Sequence, residues 1–407
     1  MLVNLEDELF VKALPVLKQI ESHGYEAYFV GGCVRDVLLH KKINDIDIAS
    51  SARPEEIEDI FKVTFDVGKE HGTIVVLVNN EPYEVTTFRT EGDYSDFRRP
   101  DAVNFVRNLE EDTLRRDFTI NAMAINGKGE LFDYHGGMVD LNNQIIRCVG
   151  NAMERFDEDA LRMMRAIRFA SQLGFTIEEE SYRAIFRLKD NLKHVSIERI
   201  RIEFNKFLEG SYFTDQAYLL SDSQLAEFLP GFTNELAENV MNKLAHDFRP
   251  IQVYERDIRL IWARMIMHMG IQATQDISQL LRKWTHSNTF IHDVIEIIDI
   301  FQLFDRHAIN AFEVYQHKLE LILVVEDYNF KIGALSEKFV EEIYRQLPIK
   351  SRKELSVNGT EMIKILNLDK GGPIVGEWIQ RIEKLVVTNN LENNYESIKK
   401  YVRTTDK

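Results

Sequence analysis

The chain has 407 residues, 44% hydrophobic and 29% charged, with 66 acidic against 50 basic side chains and a formal net charge of −16. This length and composition fit a globular chain of roughly two to four domains, and two cysteines, Cys33 and Cys148, exclude a disulfide framework and fit a reducing cytosol. No apolar run is long enough to span a bilayer, and so acidic a chain can bind nucleic acid only if its basic residues are gathered on one face. Met1 to Phe10 carries three acids and no base, so it does not read as a secretory signal.

Leu5 to His23 has helical periodicity, with Leu9, Ala13, Val16, Leu17 and Ile20 on one side, and stops at Gly24. Ala27 to Val30 then reads as a strand, Gly31-Gly32 as a turn and Val34 to His40 as the opening of a helix. Paired glycines let the backbone approach a ligand, and the helix start behind them offers free N–H groups to a phosphate. Arg35 lies in the first turn, where a guanidinium can hold phosphate oxygens two at a time. In Asp45-Ile46-Asp47-Ile48 polar and apolar residues alternate, which on a strand puts both carboxylates on one face. Two converging carboxylates repel, a divalent cation relieves that repulsion, and hard oxygen ligands favour Mg²⁺.

GGCVRDVLLHKKINDIDIA resembles the signature of the polymerase-β-like nucleotidyltransferases and, more narrowly, of the class II tRNA nucleotidyltransferases and their bacterial poly(A) polymerase relatives. The resemblance implies attack of a tRNA 3′-hydroxyl on the α-phosphate of CTP or ATP. Two Mg²⁺ ions would sit on Asp45 and Asp47, and Gly32, Arg35 and Arg116 would hold the triphosphate and sugar.

Arg53-Pro54-Glu55-Glu56 opens the next helix. Phe65 to Val67, Thr73 to Val78 and Tyr83 to Phe88 read as strands. Glu84 shares a strand face with Thr86; in the family the matching segment carries a third acid, which implies a catalytic role for Glu84. Between Glu91 and Leu114 lies a basic knot, Arg98-Arg99-Pro100-Asp101. By itself it reads as a surface loop, and long loops beside active sites often act as lids. The family has here a flexible loop needed to add the terminal A, so Arg98, Arg99 and Asp101 favour full CCA addition.

RRDFTINAMA, Arg115 to Ala124, is the second family motif. It implies that Arg116 touches the nucleotide, with Asp117 and Asn121 supporting the sugar end; these two are one turn apart if the segment is helical. In the third motif, Glu158-Asp159-Ala160-Leu161-Arg162, a helix from Glu158 onward would carry Ala160, Met163, Met164, Ile167 and Ala170 on its apolar face. Beside that face Asp159, Arg162, Arg165 and Arg168 step by three, and arginines so placed repel unless an anion or a base edge covers them. The Watson–Crick edges of C and A both offer an amino donor beside a ring-nitrogen acceptor. An Asp and an Arg complement that pair and oppose the carbonyl and ring N–H of U and G. The resemblance assigns this selection to Asp159 and Arg162, with Glu158 in support and Arg165 and Arg168 bracing the pair or meeting the primer.

Val195 to Lys206 reads as a helix capped by Ser196, whose alternating charges brace its neighbours. Beyond Gly210 the signals weaken. His246-Asp247 and His292-Asp293 could suggest a metal phosphohydrolase, with His268 and Asp327 forced into the pattern; the match lacks context. Asn358-Gly359 reads as a turn, and Gly371-Gly372-Pro373 as a helix start.

The fold expected is α+β: a nucleotidyltransferase head with a mixed sheet at 1–148, then an all-α neck at 149–210, body at 211–300 and tail at 301–407. The expected partners are CTP, ATP and the acceptor and T-arm half of tRNA, with no membrane, a cytoplasmic location, and a homodimer left open. Rival readings are an A-adding enzyme working with a separate CC-adding partner, a bacterial poly(A) polymerase, and a non-catalytic RNA-binding protein on the same scaffold. The extra basic element typical of the poly(A) polymerases is not found.

Overall fold

In the computed structural model, which describes residues 1–92 and 103–405, the apolar run Ala27–Val30 forms β1, an inner strand of a mixed sheet. The other strands are β2 (Asp47–Ser50), β3 (Thr64–Gly68), β4 (Thr73–Val78) and β5 (Glu81–Thr87), with β6 (Arg89–Glu91) and β7 (Val103–Phe105) as a separate hairpin, then β8 (Ala124–Asn126) and β9 (Leu131–Phe132). Among the described residues the sheet has seven strands in the order β3-β4-β5-β2-β1-β8-β9. The β2–β5 pair is parallel and the rest are antiparallel. Arg98, Arg99 and Asp101 lie outside the described residues.

The first helix, α1 (Glu8–Ser22), buries Ala13, Val16, Leu17 and Ile20 as the periodicity marks, with Phe10 in place of the half-buried Leu9, and Asp7 caps its start. Next come α2 (Gly32–Leu38), α3 (Pro54–Ile60, proline in its first turn), α4 (Leu109–Leu114) and α5 (Gly137–Asn142). Beyond residue 149 helices take over: α6 (Ala152–Glu158), α7 (Leu161–Leu173), α8 (Glu179–Leu188) and α9 (Ile197–Leu208). One short strand interrupts them: β11 (Thr176–Ile177) runs parallel to β10 (Ile145–Ile146).

The expected helix through Glu158 does not run on. Asp159 takes an extended backbone, φ −135° and ψ 99°, and separates α6 from α7. The apolar set Ala160, Met163, Met164, Ile167 and Ala170 is nevertheless fully buried, because α7 packs against α9. The other departures are small. β2 begins at Asp47, so Asp45 precedes the strand instead of alternating along it. Asn358 is the cap of the helix Gly359–Ile365, its side chain accepting from the Thr360 and Glu361 amides.

The chain divides into two units, Met1–Ala245 and His246–Lys407. The second is helical throughout its described residues. Asp247 pairs with Arg264 and His268, and Asp293 with Arg259 and Lys318, so these acids are spent on ion pairs within the bundle. Among the described residues no helix is long and apolar enough to cross a membrane.

Candidate active site

Gly31 sits at φ +75° between β1 and α2, a conformation that disfavours any side chain, and a Cβ there would lie 3.5 Å from both Asp47 Oδ2 and Arg116 Nη1. This turn and the start of β2 form one wall of a cavity of about 610 Å³, lined also by Gly32, Arg35, Asp45, Arg116, Asp117, Asn121, Asp159, Arg162, Arg165 and Arg168. The fold thus brings residues from three separated motifs to one place.

On the sheet side, Asp47 pairs in register with Val30 of β1 and Glu84 of β5. The protein around Asp47 pushes its carboxyl above the usual range; the charges of Asp45 and then Glu84 add to this, while Arg116 opposes it. A cluster of like charges beside an open cavity is an arrangement that a divalent cation would relieve, so the donor set of Asp45 and Asp47 fits such an ion. Glu84 is exposed on the same sheet face but does not line the cavity. Among the described residues no three ligand-type side chains converge on one point.

The far wall is built from arginines tied to buried acids. Arg35 donates to Asp36 Oδ1 at 2.9 Å and to Asn121 Oδ1 at 2.8 Å. Arg116 donates to the Asn121 carbonyl at 3.4 Å and pairs with Asp112 at 3.3 Å. Burial works against the Asp112 charge, but Arg115 and then Arg116 hold its carboxyl below the usual range. Asp117 and Asn121 sit at the edges of a tight 3₁₀ turn, Thr119–Asn121, not on an α-helix. Their side chains still meet, Asn121 Nδ2 donating to Asp117 Oδ1 at 3.1 Å.

The arginine stripe is neutralised from within. Arg165 pairs with Asp117 at 2.5 Å and lies 3.7 Å from Glu203, and Arg168 pairs with Glu203 at 2.9 Å. The repulsion expected to call for an anion is thus met by carboxylates from the Asp117 motif and from α9. Burial raises the Asp117 carboxyl, yet Arg165 and Asn121 draw it down to about 2.

The Asp159–Arg162 pair is held by outside groups. Arg162, 7% exposed, donates to Glu158 Oε2 at 2.7 Å, the Arg155 carbonyl at 3.0 Å and the Arg115 carbonyl at 2.9 Å. Asp159 Oδ2 accepts from Arg199 at 2.7 Å, and its Oδ1 from the Leu161 amide at 3.1 Å. Arg199 and Glu203 were read only as braces in the sequence. They are four apart on α9, one turn, and that spacing among alternating charges was the available signal. Phe169, under the guanidinium groups of Arg35, Arg165 and Arg168, was also missed.

Residues 27–147 match the poly A polymerase head domain, 174–236 a probable RNA and SrmB-binding site of polymerase A, and 256–402 a putative tRNA nucleotidyltransferase domain 2. A CCA-adding enzyme of Bacillus subtilis (strain 168) is 41% identical over 403 residues, 98% of this chain and 99% of its own. One from Lactobacillus johnsonii is 43% identical over 405 residues, 99% of each chain. Among solved structures, the Bacillus stearothermophilus CCA-adding enzyme in complex with CTP is similar with a TM-score of 0.88, at 36% identity and over 98% of both chains. The Thermotoga maritima CCA-adding enzyme complexed with tRNA shares the fold, with a TM-score of 0.61 at 22% identity over 99% of this chain and 96% of that one.

Proposed function

The chain belongs to the CCA-adding enzymes, a family of tRNA nucleotidyltransferases, and from that membership we propose how its own residues carry the reaction. It builds and repairs the 3′-terminal CCA of tRNA from CTP and ATP without a nucleic-acid template, releasing pyrophosphate. One observation carries the residue-level reading: Asp45 and Asp47, Arg35 and Arg116, and Asp159 and Arg162 line a single cavity.

In this reading Asp45 and Asp47 hold divalent ions, Mg²⁺ by their hard oxygen donors. Such ions, when bound, lower the pKa of the attacking 3′-hydroxyl and stabilise the leaving oxygens. Glu84, on the next strand and facing the same side, supports the attacking end. Gly31 and Gly32 leave room beside Asp47 for a triphosphate, and Arg35 and Arg116 hold its oxygens and the sugar. Asn121, bonded to both Arg35 and Asp117, sets the angle between these groups.

Base choice falls to Asp159 and Arg162. Asp159 accepts from the amino group of C or A, and Arg162 donates to the ring nitrogen. Glu158 and two backbone carbonyls fix the plane of the Arg162 guanidinium, so a carbonyl-bearing U or G meets groups that cannot turn to suit it. Arg165 and Arg168 brace this wall through Asp117 and Glu203. We retain the division into head, neck, body and tail at 148, 210 and 300, with the tail on tRNA. The buried, unpaired Cys33 and Cys148 suit a reducing cytoplasm.

The test is extension of tRNAs lacking their last three, last two or last nucleotide, each with CTP, ATP or both. Ordered addition of two C and one A, then arrest, is expected. Addition of A alone, or of an A tract, would overturn the assignment of both C and A to this chain.

A further inference from the structure

The open face of the head sheet continues past the carboxylates. Register places Asp47 beside Glu84, Glu84 beside Val75, and Val75 beside Phe65. Directly paired residues project from one face, so these four form a row across β2, β5, β4 and β3, about 14 Å over three strand spacings. Val63, Leu77 and Pro82 make the next row. The other face of β4 and β5 is closed, with Ile74, Val76 and Val85 buried. On the β1 side of the acidic row Val30 and Ala49 are covered by Phe88, Leu109 and Ala124. Among the described residues nothing comparable covers the β3 side: Phe65 is 53% exposed, Val67 58% and Val63 42%. Single exposed apolar side chains are ordinary, but here they adjoin one another and run on from a catalytic row.

We propose that this shelf receives the unpaired bases at the 3′ end of the tRNA, with Phe65 stacking on one of them while the terminal hydroxyl stands over the carboxylates. The proposal rests on the reading of Asp45 and Asp47 as the reacting edge. Gly31, Arg35, Arg116, Asp159 and Arg162 mark the side of that edge taken by the incoming nucleotide. An in-line displacement brings the attacking oxygen from the opposite side of the phosphorus. On this sheet the opposite direction runs across β5 and β4 to β3.

Charge supports a base contact over a phosphate contact. Asp45, Asp47 and Glu84 stand along this path and repel a phosphate backbone. An aromatic ring flanked by aliphatic side chains holds any base by its π-face, without hydrogen-bond readout. That tolerance suits a primer whose last base changes with each addition.

The test compares Phe65→Ala and Phe65→Trp with the wild-type chain, varying CCA-less tRNA at saturating CTP and then CTP at saturating tRNA. Loss of one base stack should raise the KM for tRNA about tenfold, with the KM for CTP and Tm unchanged, and Phe65→Trp should restore the wild-type value. Independently, 4-thiouridine as the last base of the primer should cross-link the wild-type chain within residues 63–67 or 75–77. An unchanged KM for tRNA in Phe65→Ala, an equal rise for tRNA and CTP, or cross-links confined to other segments would each overturn the proposal. These failures leave the assignment of CCA addition standing; only a wild-type chain that extends no tRNA would remove that.

Discussion

Replacing Arg199 with Ala tests whether Asp159, the carboxylate proposed to read the base, is held from behind. Arg199 on α9 reaches Asp159 Oδ2 at 2.7 Å, and the two side chains are 23% and 17% exposed. Asp159 lies in the break between α6 and α7, so no neighbouring turn of helix fixes its direction. Apart from Arg199 its side chain accepts from the Leu161 amide at 3.1 Å. A hydrogen bond to a charged group contributes about 1.5–3 kcal/mol, and partial exposure reduces this to about 1–2 kcal/mol. If that positioning carries into the transition state, kcat/KM for C and for A addition falls roughly 5- to 30-fold. A carboxylate free to swing also rejects a uracil carbonyl less well, so UTP incorporation relative to CTP should rise. The assay is single-nucleotide extension of CCA-less tRNA with each of the four nucleotides, with Tm measured in parallel. Arg199→Lys keeps the charge and should recover part of the rate. A rate and C-to-U preference unchanged in Arg199→Ala would refute the positioning role. A fall in Tm with normal selectivity would reduce the pair to a structural tie.

Asp45→Ala or Asp47→Ala should abolish addition of C and A alike while circular dichroism and Tm stay near wild type; substantial transfer at ordinary Mg²⁺ would remove the metal-holding role. Asp159→Ala should lower discrimination against UTP and GTP by about 1–3 kcal/mol, the cost of an unmatched buried polar group, and misincorporation assays on CCA-less tRNA measure it directly. A sharp exclusion of U that survives this change would place base choice elsewhere. The Asp117 carboxyl is held at about 2 in the fold against a reference of 3.8. At about 1.4 kcal/mol per unit this amounts to roughly 2 kcal/mol of stability, present above about pH 4 and lost as pH falls towards about 2. Asp117→Asn should therefore flatten the decline of Tm over that range, and parallel curves for variant and wild type would contradict the linkage. Neutralising Arg98, Arg99 and Asp101 together should impair A addition more than C addition, and equal losses in both steps would argue against a role specific to the larger base.

The groups proposed for the chemistry of this chain lie in short local stretches. Gly31-Gly32, Asp45-x-Asp47, Arg115-Arg116-Asp117 and Glu158-Asp159 through Arg162 each pair residue types with the backbone geometry they need over a few positions. A strand, a positive-φ turn and a capped helix are decided by near neighbours, so β1, β3, β4 and β5, most of the buried face of α1 and the apolar face of α7 could be read before any packing was known, whereas the short strands β6 to β9 could not. Local pattern was weaker where two states lie close in energy. Periodicity carried the α7 helix back through Asp159, but the chain breaks there.

Partnership across the chain is another matter. Nothing within the Arg162–Arg165–Arg168 stripe says that its charges are answered by Asp117, forty-eight residues before Arg165, and by Glu203 on α9. Nor does the sequence around Asp159 point to Arg199, forty residues on. The Glu203 and Arg199 pairings exist because α9 packs against α7, and a one-turn slip between the helices would rearrange both. The row from Asp47 to Phe65 is likewise a product of strand order: β5 inserts between β2 and β4, so residues distant along the chain share one face. Sequence thus specified which groups could do chemistry, since that depends on side-chain type and local backbone. Tertiary packing decided which of them face one another, because the energy of those contacts is spread over a core that no short segment contains.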